Sequence, residues 1–213
     1  MSLRQRLMDM MKERPAGYRG LLAELAGRLR KSALGNVLKP GDRMPAFVLP
    51  STEGELVSSD DLLARGPLVL CFFRGGWCPF CRTTMTAIDA ILPDIVATGA
   101  SLVALTPDTG DLAFGNARAL KLGYPVLCDI DGATAMAFGV LHSLSDGLRD
   151  VLLGAGIDLM KWHGDPSWLI PMPATFVVGR DGVLRFAYAS GDITDRPEPE
   201  EIVGLLRTMA EGA

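Results

Sequence analysis

The stretch Leu68-Val69-Leu70-Cys71-Phe72-Phe73-Arg74-Gly75-Gly76-Trp77-Cys78-Pro79-Phe80-Cys81 decides the fold. Its first six residues are apolar at every position, the pattern of a central strand buried on both faces. Arg74-Gly75-Gly76 breaks the run with a polar, glycine-rich approach, which predicts an exposed loop. Pro79 suits the first position of a helix, where its missing N–H costs nothing. Met85, Ile88 and Leu92 continue that helix at i, i+3, i+7, and Pro93 ends or kinks it. The unit reads strand, loop, cysteine, helix.

Outward from this unit, short apolar strands alternate with helical segments. Residues 101–106 read as a second buried strand, 112–122 as a helix, 125–128 as a short third strand, and 131–140 and 145–160 as helix and loop. Residues 174–178 and 183–188 flank the glycine-rich turn Gly179-Arg180-Asp181-Gly182 as a hairpin. Ile202, Leu205, Leu206 and Met209 mark a closing helix, with Glu198-Pro199-Glu200-Glu201 as an acidic first turn that suits its dipole. This alternation argues an α/β fold with a mixed, partly parallel central sheet flanked by helices. Toward the amino terminus, Leu22, Leu25 and Leu29 form an apolar helical stripe within residues 3–35, which Pro15 and Gly17 split in two. The chain divides into a helical extension, 1–38, and a main domain, 39–213. That stripe needs a cover, from its own domain or from a second copy in a homodimer.

Composition bounds the function. At 213 residues and roughly 150 residues per domain, the chain holds one core with an appendage. Hydrophobic residues at 48% and charged residues at 22% are globular proportions. A net charge of -4 and a pI near 5.2 exclude a basic nucleic-acid footprint. Mean hydropathy is +0.24, yet the longest apolar run, Leu68 to Phe73, falls far short of a membrane span. The amino terminus has no apolar stretch and small-residue cleavage site of a secretory signal, so a cytoplasmic location is expected.

Four cysteines are too few for a disulfide scaffold. Cys78-Pro79-Phe80-Cys81 has the spacing of a redox pair or half a metal site, but a structural zinc site needs four ligands and there is no second Cys-x-x-Cys. A cysteine at a helix start faces unpaired N–H groups and the positive end of the dipole, so Cys78 is expected to be the lower-pKa, solvent-reachable nucleophile. Cys81, one turn on, is placed to resolve a mixed disulfide or sulfenic acid on Cys78. Cys71 inside the strand reads as core, and Cys128 as packing rather than a distant resolving thiol. His142 and His163 carry no catalytic pattern and read as structural or exposed.

Residues 72–81 resemble the peroxiredoxin-like branch of the alkyl hydroperoxide reductase and thiol-specific antioxidant family, whose fold is thioredoxin-like. Gly41-Asp42-Arg43-Met44-Pro45-Ala46-Phe47, Pro171-Met172-Pro173-Ala174-Thr175-Phe176-Val177-Val178 and Arg196-Pro197-Glu198-Pro199 extend the likeness in the expected order, over roughly residues 36–210. The resemblance implies an antioxidant oxidoreductase without bound cofactor or metal. It would act as a peroxidase reducing hydroperoxides through the dithiol, with thioredoxin or glutathione as electron donor. Thiol–disulfide exchange on disulfide substrates and a non-catalytic binding module are the alternatives.

The chain also departs from the family. The Pro-x-x-x-Thr-x-x-Cys signature is missing in the register of Cys78 and in that of Cys81. Pro173 stands where peroxiredoxins carry a peroxide-binding arginine. Arg74 is therefore the expected substitute charge. With Trp77, Met172 and Pro173, it makes up the expected substrate-binding set. Likeness to thioredoxins at Pro173 implies a cis Met172–Pro173 bond opposite the dithiol.

Overall fold

The computed structural model describes residues 1–211. The chain opens with two helices, α1 (Leu3–Lys12) and α2 (Ala16–Ser32). Pro15 separates them and stands as the N-cap of α2, a place where a residue without an N–H is tolerated. The hairpin β1 (Val48–Pro50) and β2 (Leu56–Ser58) and helix α3 (Ser59–Arg65) then lead into β3 (Leu68–Phe72), all five residues of which are buried. A loop joins β3 to α4 (Pro79–Asp89), and α5 (Leu92–Ala97) follows. Pro93 therefore does more than stop a helix: it lies in the first turn of the next one.

The chain continues through β4 (Ser101–Thr106), α6 (Gly110–Leu120) and β5 (Val126–Cys128). Between β5 and the late hairpin lie α7 (Ala133–Ala137), β6 (Leu141–Ser143), α8 (Asp146–Gly154), α9 (Leu159–His163) and β7 (Leu169–Pro171). The strands β8 (Ala174–Val178) and β9 (Leu184–Ala189) and the helix α10 (Pro199–Glu211) complete it. The β6–β7 pair is absent from the sequence reading, because three-residue strands are too short to show a period.

The central sheet has the order β5-β4-β3-β8-β9. The β3–β4 and β4–β5 pairs are parallel, and β3–β8 and β8–β9 are antiparallel. The fully apolar strand thus sits in the middle, where neighbours cover both edges and helices cover both faces. Phe72, Phe138 and Phe176 pack with ring centroids 4.9–5.9 Å apart, within the range of favourable tilted and edge-on contacts. The structure is the mixed, helix-flanked α/β fold expected. The Met172–Pro173 bond, however, is trans, since no peptide bond among the described residues is cis. Strand pairing on both sides fixes this run: the Met172 N–H donates to the Val140 carbonyl at 2.7 Å and the Ser190 N–H to the Pro173 carbonyl at 3.3 Å.

The amino-terminal helices cover their apolar stripe with their own domain, burying Leu3, Leu7, Leu22, Leu25 and Leu29. Helix α1 packs against α4 and α2 against α8. The Glu198 carboxylate accepts from the first two N–H groups of α1, Leu3 at 2.8 Å and Arg4 at 3.0 Å. A glutamate that reads as part of its own helix's acidic turn therefore caps a helix from the other end of the chain.

Candidate active site

Cys78 is the N-cap of α4, in extended backbone conformation (φ -91°, ψ 111°), with Pro79 as the first helical residue. Its carbonyl accepts the Arg82 N–H at 3.0 Å, and its own N–H donates to the Gly75 carbonyl at 3.1 Å. The turn needs its glycines. Gly75 has φ +131°, a region that disfavours side chains, and a Cβ there would meet Trp77 and Asp108. A Cβ on Gly76 would occupy the place of the Asn116 side-chain amide.

All four cysteines are free thiols, and their surroundings push them apart. The Cys78 thiol is lowered to about 6, chiefly because the Cys81 thiol hydrogen-bonds its sulfur. Burial opposes this, while Arg74, the Cys81 main-chain N–H and Arg196 add to it. Cys81 is raised well above the ordinary thiol range by burial and by the neighbouring charge on Cys78. One thiolate and one thiol, the thiol donating to the thiolate, is the arrangement of an attacking and a resolving cysteine. Burial pushes Cys71 up to about 12 and Cys128 to about 11, so both have the environment of core cysteines.

Two expectations about access fail. Arg74, Gly75, Gly76, Trp77 and Cys78 are all buried, and Cys78 is only 2% exposed. The loop is polar in composition but roofed by the amino-terminal helices, a long-range contact that local composition cannot reveal. Arg14 at the α1–α2 break lies over the Phe80 ring, 5.8 Å from its centroid. Met10 of α1 takes a contact from the Thr83 hydroxyl at 3.4 Å. Tyr18 of α2 lies against Arg74 and is close enough to Cys78 for the two to interact electrostatically.

The expected binding residues divide between two sides of the dithiol. Arg74 stacks on Trp77, its guanidinium carbon 4.9 Å from the ring centroid, while its Nε and one terminal nitrogen are buried without a partner. Pro173 lines a small cavity with Cys81, Thr84, Thr175 and Arg196. That cavity has ≈ 10 Å³ of room for the centre of a water-sized molecule, at the threshold for holding one. Met172 is wholly buried and does not line it.

Arg196 is the functional candidate that the sequence reading passes over. It is 3% exposed, and one terminal nitrogen donates to the Asp192 and Asp195 carbonyls at 3.1 and 2.7 Å. The other is buried without a partner. The Arg-Pro step before the last helix is the only trace of it in the sequence.

Behind the loop lies a second cluster. Asp108, after β4, accepts the Gly76 N–H at 2.6 Å. His163, at the end of α9, accepts from the Trp77 indole N–H at 3.4 Å, and its Nε2 lies 3.5 Å from Asp108 Oδ1. Of the two readings of His163, structural or exposed, its burial against the dithiol loop leaves the first. Burial brings both histidines down to about 4, so both are neutral at physiological pH. No group of three or more possible metal-binding side chains occurs among the described residues.

Residues 40–187 match the AhpC/TSA family. A Mycobacterium tuberculosis (H37Rv) protein named "Putative peroxiredoxin Rv1608c" is 29% identical over 114 residues, 54% of this chain and 74% of its own. A second from that strain, "Putative peroxiredoxin Rv2521", is 31% identical over 102 residues, 48% of this chain and 64% of its own. Among solved structures, peroxidoxin BcpB of Mycobacterium tuberculosis superposes with a TM-score of 0.64 at 23% identity, covering 81% of this chain and 98% of that one. A peroxiredoxin 6 variant from Arenicola marina gives 0.65 at 18% identity, over 81% and 73%. These structural likenesses carry the fold.

Proposed function

Because the chain belongs to the AhpC/TSA family, and is a thiol-based peroxidase on that account, we propose that it reduces hydroperoxides with Cys78 as attacking thiolate and Cys81 as resolving thiol. The observation that carries this is the opposite displacement of the two thiols, Cys78 to about 6 and Cys81 well above its ordinary value. At neutral pH the first is ionised and the second keeps its proton.

The Cys78 sulfur attacks the terminal peroxide oxygen, the O–O bond breaks, and sulfur becomes a sulfenic acid while the alkoxide leaves. The Cys81 sulfur then displaces the sulfenic oxygen as water and forms the disulfide. A thiol donor of the thioredoxin or glutathione class regenerates the pair by exchange. Arg74 and Arg196 hold unpartnered, buried N–H groups beside the dithiol. Such donors stabilise negative charge developing on oxygen without having to reorganise, so the missing arginine at Pro173 is replaced from two other places. Trp77 positions Arg74 by stacking, and Pro173 walls the cavity.

The small cavity is lined by Cys81 and not by Cys78 and is no larger than a water, so a hydroperoxide reaches the buried Cys78 sulfur only when the loop or the amino-terminal helices move. The test is stopped-flow oxidation of the reduced, full-length protein by hydrogen peroxide, followed by intact mass. Cys78→Ser should abolish the reaction, and Cys81→Ser should stop at the sulfenic acid. Reaction no faster than that of a free thiol of equal pKa, with rapid exchange on a disulfide substrate, would instead establish a thiol–disulfide oxidoreductase.

A further inference from the structure

The side chains of Asp108, His163 and Trp77 form a closed, buried set against the dithiol loop, and their hydrogen bonds leave one proton to be placed. Asp108 Oδ2 accepts the Gly76 N–H at 2.6 Å. Its Oδ1 is buried with no hydrogen-bond partner, yet it stands 3.5 Å from His163 Nε2. That nitrogen accepts the Trp77 indole N–H at 3.4 Å, so it carries no proton of its own. Two lone pairs facing each other in a dry site are unfavourable, and the remedy is a proton on the carboxyl oxygen, shared toward the imidazole. The Asp108 and His163 side chains are 0% and 4% exposed, so the open solvent does not reach the pair.

We propose that Asp108 carries this proton toward His163 while Cys78 is a thiolate and releases it when Cys78 is oxidised, so that the pair stores a proton for the reaction and positions the Arg74–Trp77 loop. The proposal rests on the reading of Cys78 as the attacking thiolate. Stoichiometry supplies a reason for such a store. Thiolate, thiol and hydroperoxide give disulfide, alcohol and water only if one further proton is consumed, the one that neutralises the leaving alkoxide. The charge that disappears from Cys78 reappears on Asp108, and the interior keeps the same net charge through turnover.

The electrostatics agree with the geometry. Burial raises Asp108 to about 7, the Cys78 charge raises it further, and the Gly76 N–H and the Thr106 hydroxyl oppose the rise. His163 is held neutral by burial against the pull of Asp165 and of a hydrogen bond to the Arg74 main chain. Cys128, at the end of β5, also feels the Asp108 charge but stays a thiol, raised to about 11. Arg74 and Cys78 on the loop, Asp165 just beyond α9, and Cys128 on β5 are thus the groups facing the pair. The Thr109 N–H and hydroxyl both reach the Trp162 carbonyl, at 2.9 and 3.3 Å. These bonds fasten the segment of Asp108 to that of His163.

Asp108→Asn is the informative variant, because an amide reproduces the protonated acid: its oxygen accepts from Gly76 and its NH₂ donates to His163. It should fold, because the amide keeps both of those hydrogen bonds. Infrared spectra of the full-length reduced protein should show a carboxylic-acid C=O band that Asp108→Asn removes and that disappears on conversion to the disulfide. In weakly buffered solution with an indicator dye, Asp108→Asn should draw a proton from the medium for each disulfide formed, and wild type little or none. Cys78→Ser should show the acid band weakened at pH 7 before any oxidant is added. A missing acid band, one that survives oxidation, or equal proton uptake by wild type and Asp108→Asn overturns the proposal. Undiminished peroxide reduction by Cys78→Ser is a separate result, and overturns the assignment of the attacking thiol instead.

Discussion

At the scale of single residues, the proposed dithiol rests on asymmetry: two cysteines one helical turn apart differ in charge because the thiol of the second hydrogen-bonds the sulfur of the first. The strongest support for the Cys78 thiolate is the Cys81 thiol itself, ahead of Arg74 and Arg196. The midpoint for alkylation of Cys78 should therefore lie near pH 6 in the native protein. It should rise most in Cys81→Ala, which removes the donor, then in Arg74→Ala, then in Arg196→Ala, as read from iodoacetamide rates against pH. An order with Arg196→Ala first would mean that this arginine, and not the thiol, governs the charge. Asp108 adds a stability effect of opposite sign to that of an ordinary carboxylate. Its folded pKa is raised, so its contribution is present below the unfolded value and is lost as pH rises through about 7. Asp108→Asn should accordingly gain on wild type in thermal stability as pH climbs from about 4 to about 7, and the gain should level off above that.

At the scale of elements, the amino-terminal helices are the roof of the site. Their buried leucines, each worth about 1.5–3 kcal/mol when fully removed from water, make the roof part of the core, so deleting residues 1–35 should lower the melting temperature sharply. A milder change tests the roof alone. Glu198 caps α1 through two main-chain N–H groups, and Arg4 reaches Asp195 at 3.1 Å. Loss of a cap costs about 1 kcal/mol. Glu198→Ala should therefore leave the fold intact, loosen α1, and speed alkylation of Cys78 by several-fold at a pH where the thiol is ionised. Equal rates in the two proteins would show that reagents reach Cys78 by another route.

At the scale of the whole molecule, two buried neutral histidines set the acid limit. His142 and His163 titrate near 4 in the folded protein, against about 6.5 when unfolded. Between those values the unfolded chain binds more protons, so stability falls as pH drops from about 6.5 toward 4. Each histidine accounts for at most about 3 kcal/mol of that loss. Urea denaturation across this window should show a falling midpoint, and the fall should be shallower in His142→Gln, whose site lies away from the Asp108 pair. Because Asp108 contributes with the opposite sign in the same window, the profile is best read in Asp108→Asn, where a flat line would place the histidines in contact with solvent.

The sequence by itself determined the sheet and the first guess at the chemistry. An uninterrupted apolar run specifies a central strand, and Pro79 after Cys78 specifies a helix start with a cysteine at its cap. These are local rules, satisfied within a few residues of chain. Cys71 was legible as core for the same reason. Tertiary structure alone decided that the glycine-rich loop is buried, because its roof lies some sixty residues upstream. It also decided that Arg196 and Pro173 wall the same cavity and that the Met172–Pro173 bond is trans, held by pairing to Val140 and Ser190. The Asp108–His163 pair lay furthest from view. A lone aspartate after one strand and a lone histidine at the end of a short helix have no spacing to read. They meet only because two distant segments are hydrogen-bonded behind the loop, where burial gives each its altered proton affinity.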